Sequence, residues 1–215
     1  MGAVFPVIRA AIITLALAVL AGCANDDDSF DVVRAALLPG QQEFDARFQA
    51  AARQNAPQLK LALLQFDAAT LLVRESRRDG IDTWISADGA TVLTQGGFIV
   101  ALHGFGAGLL AADVDQTRTM VTAGREGASE RFATFLTGND ETVTRTFRCV
   151  IENRGQDNVQ IGASTVSARL MAEDCLSLDN TFQNLYWVTP ADNRIVQSSQ
   201  WTGDFIGYVA TQVVP

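Results

Sequence analysis

One histidine and three tryptophans carry much of the chemistry that this 215-residue chain could perform. His103 stands in "FIVALHGFGAGLL". A single imidazole cannot build a His-rich metal site, and a Ser-His-Asp set lacks the G-x-S-x-G turn that usually presents its nucleophile. The ordinary reading of His103 is a strand-end residue. Gly104, Gly106 and Gly108 of the same stretch resemble part of a dinucleotide-binding loop, but Leu109 occupies the place of the third glycine. Turn geometry with positive φ is the better account of these glycines. Trp84, Trp187 and Trp201 could form a face on which sugar rings stack, the alternative being core and strand-pairing aromatics. The acidic residues are scattered, and no spacing singles out a carboxylate pair of the kind that cleaves glycosides. No catalytic residue, metal ligand or cofactor site is therefore assigned.

Cysteine chemistry is more informative. The residues Leu20-Ala21-Gly22-Cys23 end an apolar run from Ala10 to Ala21 that only Thr14 interrupts, and Asp26 to Asp28 follow shortly after. At about 1.5 Å per residue such a helix spans roughly 18 Å, short of the roughly 30 Å hydrocarbon core, so it suits the hydrophobic part of an export signal. "LAGC" resembles a bacterial lipobox, in which small residues let a peptidase cut before a cysteine whose thiol takes a diacylglycerol. The expected organisation is a lipoprotein signal peptide over 1-22, a lipidated Cys23 opening a solvated tether over 23-29, and one domain over 30-215. The alternative is an ordinary signal cut after Ala24, leaving no anchor. Ala24 is also not the aspartate that retains many enterobacterial lipoproteins at the inner membrane, so the sorting rule implies an outer-membrane, periplasm-facing, lipid-anchored protein. Cys149 and Cys175 then remain as an even pair in an oxidising compartment, where a structural disulfide is expected; two buried thiols are the alternative.

The elements that must position these residues read as mainly β. A net charge of -8 and a pI near 4.6 argue against nucleic acid or an anionic lipid surface as partner. Short helices are expected over "SFDVVRAALL" and "QEFDARFQAAARQ", with Pro39 and Pro57 ending them. From Leu59 the pattern changes to β-rich runs punctuated by "RDG", "ADG" and "GG", which mark tight hairpins. After a less regular middle, about 105-130, the runs resume at "TVTRTFRCVIEN" and continue to the end. There Val143, Arg145, Phe147, Cys149 and Ile151 share one face. Many strands without alternating helices predict an antiparallel meander.

Two longer stretches carry a family resemblance. "DTWISADGATVLTQGGFIVALHGFGAGLLAAD" and "NLYWVTPADNRIVQSSQWTGDFIGYV" resemble the YjbF/GfcB lipoproteins encoded with exopolysaccharide and group 4 capsule genes. The matching residues are Trp84, Ser86, Asp88, Gly89, Gly97 and Gly104, then Tyr186, Trp187, Val188, Gln197, Ser198, Gln200 and Trp201. His103 and Ser199 depart from the family's usual threonine and arginine. The resemblance implies a large meandering sheet that folds on itself, barrel-like or sandwich-like. It also implies a non-catalytic role in exopolysaccharide or capsule production or export, beside an outer-membrane β-barrel and a soluble periplasmic protein. A lipid or glycan carrier and, behind it, a polysaccharide hydrolase are the competing readings.

Overall fold

Alternation of inward and outward side chains, reset by glycine turns, dominates the computed structural model. It describes residues 45-215 except 138 and 140. The chain divides into two units, Met1–Gln42 and Glu43–Pro215, and the second contains every described residue. The expected signal peptide, Cys23, the tether and the first expected helix lie outside the described residues.

The second expected helix is present as α1 (Ala46–Arg53). Asp45 caps it by accepting from the backbone N–H groups of Arg47 and Phe48. Phe48 and Ala51 then cover Val73 and Ile85 on the outer face of the sheet.

The first half of the sheet comprises β1 (Gln58–Leu63), β2 (Ala68–Arg78), β3 (Ile81–Ile85), β4 (Thr91–Gln95) and β5 (Phe98–His103). Asp79 and Gly80 turn β2 into β3, and Gly96 and Gly97 turn β4 into β5, all with positive φ, as two-residue hairpins of this hand require. The run "LKLALLQF" does not continue as one strand. It stops at Leu63 and closes in a 3-10 turn, Leu64–Phe66, that ends on a left-handed Asp67.

The middle of the chain is more ordered than its sequence suggests, with β6 (Leu109–Asp113), α2 (Asp115–Ala123) and β7 (Gly127–Leu136). The remaining strands are β8 (Thr142–Ile161), β9 (Ser164–Leu176), β10 (Thr181–Val188), β11 (Ile195–Trp201) and β12 (Tyr208–Val213).

All twelve strands form one sheet in the order β5-β4-β3-β2-β1-β12-β11-β10-β9-β8-β7-β6. Every pairing is antiparallel. The two ends, β5 and β6, lie against each other, so the sheet is a nearly closed barrel. One face of β5 places Ile99 and Leu102 in the main core with Leu61, Leu72, Val92 and Phe147. Its other face places Phe98 and Val100 against Tyr186, Val188, Met171 and Val121 of α2. A strand covered on both faces reads as an unbroken apolar run, which "FIVAL" is.

Candidate functional site

At one end of the barrel the inward-facing side chains change from apolar to polar on three neighbouring strands. On β2 the change runs from Leu72 to Arg74. On β3 it runs from Trp84 to Asp82, and on β4 from Val92 to Thr94. Register holds the layer together, because Arg74 lies opposite Trp84, Arg77 opposite Asp82, and Asp82 opposite Thr94. The Arg77 guanidinium grips Asp82 with two parallel bonds of 2.6 Å, and Arg74 Nη1 approaches the same carboxylate at 3.5 Å. Asp82 in turn raises the pKa of Arg77 above its ordinary value, chiefly through this hydrogen bonding. The Trp84 indole N–H donates to Thr94 Oγ1 at 2.8 Å. Gly96 and Gly97, Arg194, which precedes β11, and the β11 residues Ile195 and Val196 help to line a cleft of about 560 Å³. Gly97 has φ +95 and stands so close to Ile195 that an added Cβ would lie 2.9 Å from the Ile195 Cβ, so glycine sets the approach of the β4–β5 turn to β11.

A second polar cluster lies inside the barrel. Glu173 is fully buried. Its Oε1 accepts from Thr117 Oγ1 at 2.8 Å, and its Oε2 accepts from Arg131 Nη1 at 2.9 Å, Asn184 Nδ2 at 2.7 Å and the Tyr186 hydroxyl at 2.8 Å. Asn184 passes the chain on, its Oδ1 accepting from the Trp201 backbone N–H. Both Glu173 oxygens are thus committed, which fits an internal brace rather than a group free to move a proton.

Burial first, and the neighbouring carboxylate second, push the Tyr186 phenol well above its ordinary value near 10. An unfolded chain releases that proton from about pH 10 and the folded chain retains it, so stability falls as pH rises past about 10. In Tyr186→Phe this contribution disappears. Urea unfolding is expected to show a pH slope shallower by up to about 1.4 kcal/mol per unit between pH 10 and 11. Equal slopes in both proteins would mean that Tyr186 ionises as easily folded as unfolded.

Among the matching motif residues, Gly97 and Gln200 meet where β5 approaches β11. Gln200 is buried and acts as a surrogate ladder for the inturned edge. Its Oε1 accepts from the Ile99 N–H at 2.9 Å and its Nε2 donates to the Gly97 carbonyl at 2.9 Å. Ser198 bonds Thr211 across β11 and β12 at 2.7 Å. Ser86 bonds Asp88 within the β3–β4 turn, where Gly89 takes positive φ.

The three tryptophans occupy three settings rather than one shared face. Trp84 forms part of the cleft wall. Trp187 is half-buried and donates to Asp157 Oδ2 at 2.7 Å, on the wall of a separate open groove. Trp201 stacks on Phe182 with ring centroids 4.5 Å apart, beside Phe135 and Phe147. His103 is exposed at the end of β5, and Gly104 and Gly106 have positive φ, as turn residues do. Cys149 and Cys175 face each other across β8 and β9 and are joined by a disulfide.

Sequence reasoning missed Arg74, Arg77, Asp82, Arg131 and Glu173. For Asp82 a signal was available: strict alternation in "IDTWI" puts the aspartate on the same face as Trp84. The "RESRR" run reads as solvated surface, so its arginines carried no comparable signal.

The sequence model of a family described as group 4 capsule polysaccharide lipoprotein GfcB, YjbF matches residues 25–214. The chain is also similar to the uncharacterized lipoprotein YjbF of Escherichia coli (strain K12), at 26% identity over 127 residues. That alignment takes in 58% of this chain and 59% of the relative, so the chain spans less than two thirds of the curated relative it matches. Among solved structures, the crystal structure of the hypothetical lipoprotein YmcC from Escherichia coli (K12) has the same fold. The TM-score is 0.69 at 19% identity, over 86% of this chain and 94% of that one. The family match takes in the whole twelve-stranded sheet together with the cleft and the buried brace, and the chain belongs to the group 4 capsule polysaccharide lipoprotein family GfcB/YjbF.

Proposed function

We propose that this protein is a lipid-anchored, non-catalytic component of exopolysaccharide or capsule production or export, held through Cys23 on the periplasmic side of the outer membrane. The observation that carries the reading is the family match, which begins at residue 25, just behind the "LAGC" motif. The state of the buried acids supports a non-catalytic role. Among the described residues these are Asp82 and Glu173, and each is held by arginine. A glycoside hydrolase needs carboxyls free to donate and accept a proton on either side of the scissile bond. The working partners are an outer-membrane β-barrel and a soluble periplasmic protein of the export system. A glycan carrier is the second reading, favoured by the cleft. A multiply acylated chain, however, is held at the membrane and cannot shuttle.

Deleting the gene is expected to lower surface polysaccharide, and the wild-type gene to restore it. An exported Cys23→Ser protein should take up no labelled palmitate and should restore less than about half of the polysaccharide despite normal folding. Full restoration by the unlipidated protein would overturn the anchored reading.

A further inference from the structure

We infer that the cleft lined by Arg74, Arg77, Asp82, Trp84, Thr94 and Arg194 binds an acidic sugar residue of a polysaccharide chain, a hexuronate or a similar carboxylate-bearing ring. The identity of the ring rests on the polysaccharide reading above; its charge rests on the cleft itself.

Three arginines and one carboxylate, Asp82, line this cleft, in a chain whose net charge is -8. Arg194 also has Asp192 at 3.5 Å, but both are largely exposed, so that pair restrains the arginine weakly. Arg77 and Arg194 are not needed to fill the barrel, because they leave 59% and 68% of their side chains in solvent. The Arg194–Asp192 pair, exposed on both sides, contributes little to folding.

What the geometry does provide is orientation. Asp82 fixes the Arg77 fork and draws Arg74 alongside it, as a pre-organised anion site requires. The volume of about 560 Å³ falls within the ~300–1,000 Å³ usual for small-molecule sites, and barrel mouths are frequent places for them. Trp84 and Ile195 border the charges with apolar surface, while the largely exposed Arg77 and Arg194 guanidiniums offer donors to a carboxylate and to sugar hydroxyls.

The test is calorimetric titration of the full-length protein, purified in detergent, with three probes: a hexuronate oligosaccharide, a neutral gluco-oligosaccharide of equal length, and inorganic phosphate. The acidic oligosaccharide is expected to bind, with affinity falling as salt is raised, and both other probes to bind at least about tenfold more weakly. Arg74→Gln and Arg194→Gln are each expected to weaken acidic-sugar binding by about tenfold. Because Arg194 is mostly exposed, its variant should melt with the wild type, which separates lost binding from lost folding.

Equal binding of the neutral oligosaccharide, binding of phosphate as tight as that of the hexuronate, or no binding at millimolar concentration would each overturn the inference. So would unchanged affinity in both variants. A deletion strain that loses surface polysaccharide while the cleft binds no hexuronate refutes this inference alone. Hexuronate binding without any deletion phenotype refutes the functional reading alone.

Discussion

Arg131→Met is expected to destabilise the protein by about 3–5 kcal/mol, the range found when one partner of a buried ion pair is removed. The Arg131 side chain is 4% exposed and its partner Glu173 is fully buried, so solvent cannot take over the missing cation. In a domain of this size each kcal/mol lowers the melting temperature by about 2–4 °C, which places the expected drop near 10 °C. Replacing both residues, as Arg131→Met with Glu173→Met, is not expected to recover the loss. Asn184 and Tyr186 both donate to Glu173 and would then be buried donors without that acceptor, while Thr117 would be left with the Ser129 hydroxyl at 3.2 Å. Thermal melts of the single and double variants check both statements. A loss below about 1 kcal/mol for Arg131→Met would remove the brace from the account of stability.

Breaking the Cys149–Cys175 bond should have an effect of similar size. The bridge closes a loop of sequence separation 26, for which the chain-entropy relation gives about 3.5 kcal/mol. Both cysteines are buried beside Phe147 and Phe182 in the main core, so paired alanine substitution also removes packed volume. Urea unfolding of Cys149→Ala/Cys175→Ala at neutral pH is expected to show a lower midpoint with little change in cooperativity. Mass spectrometry of unreduced peptides should find the two residues linked. Free thiols at both positions in protein isolated from the envelope would remove the bond from the description.

The strands that were plain in the sequence are those whose inward positions are apolar. In β8, Phe147, Cys149 and Ile151 alternate with exposed partners, and hydrophobicity alone finds the face. β7 was missed for the opposite reason. Its buried face is Ser129, Arg131, Ala133 and Phe135, while Phe132 on the other face is largely exposed, so the buried brace inverts the hydrophobic pattern that marks a strand. The helix α2 was hidden by its threonines, one of which, Thr117, is buried to bond Glu173. Each failure traces to polar side chains whose burial is justified only by partners distant in sequence. The cleft was obscure although its partners are close in sequence, since Asp82 makes sense on a buried face only once Arg77, across the β2–β3 hairpin, folds back over it. The turns were legible because positive φ at Gly80, Gly96 and Gly97 depends on local geometry alone.

The strand order places the first and last strands, β1 and β12, side by side near the middle of the sheet, with Leu59 opposite Val213. Every other neighbouring pair in the sheet consists of strands consecutive in the chain, so two separate meanders can form while this single long-range junction is still open. Junctions of such sequence separation are slow to close, because the entropy of bringing the ends together must be met before any contact rewards it. The junction therefore makes the last strand a test of completeness. A chain truncated before Tyr208 would keep two half-sheets but present the bare edges of β1 and β11, which invite mispairing and proteolysis. A chain bearing all twelve strands can bury both edges, so quality control in the envelope could tell finished molecules from unfinished ones by that exposed pair of edges alone.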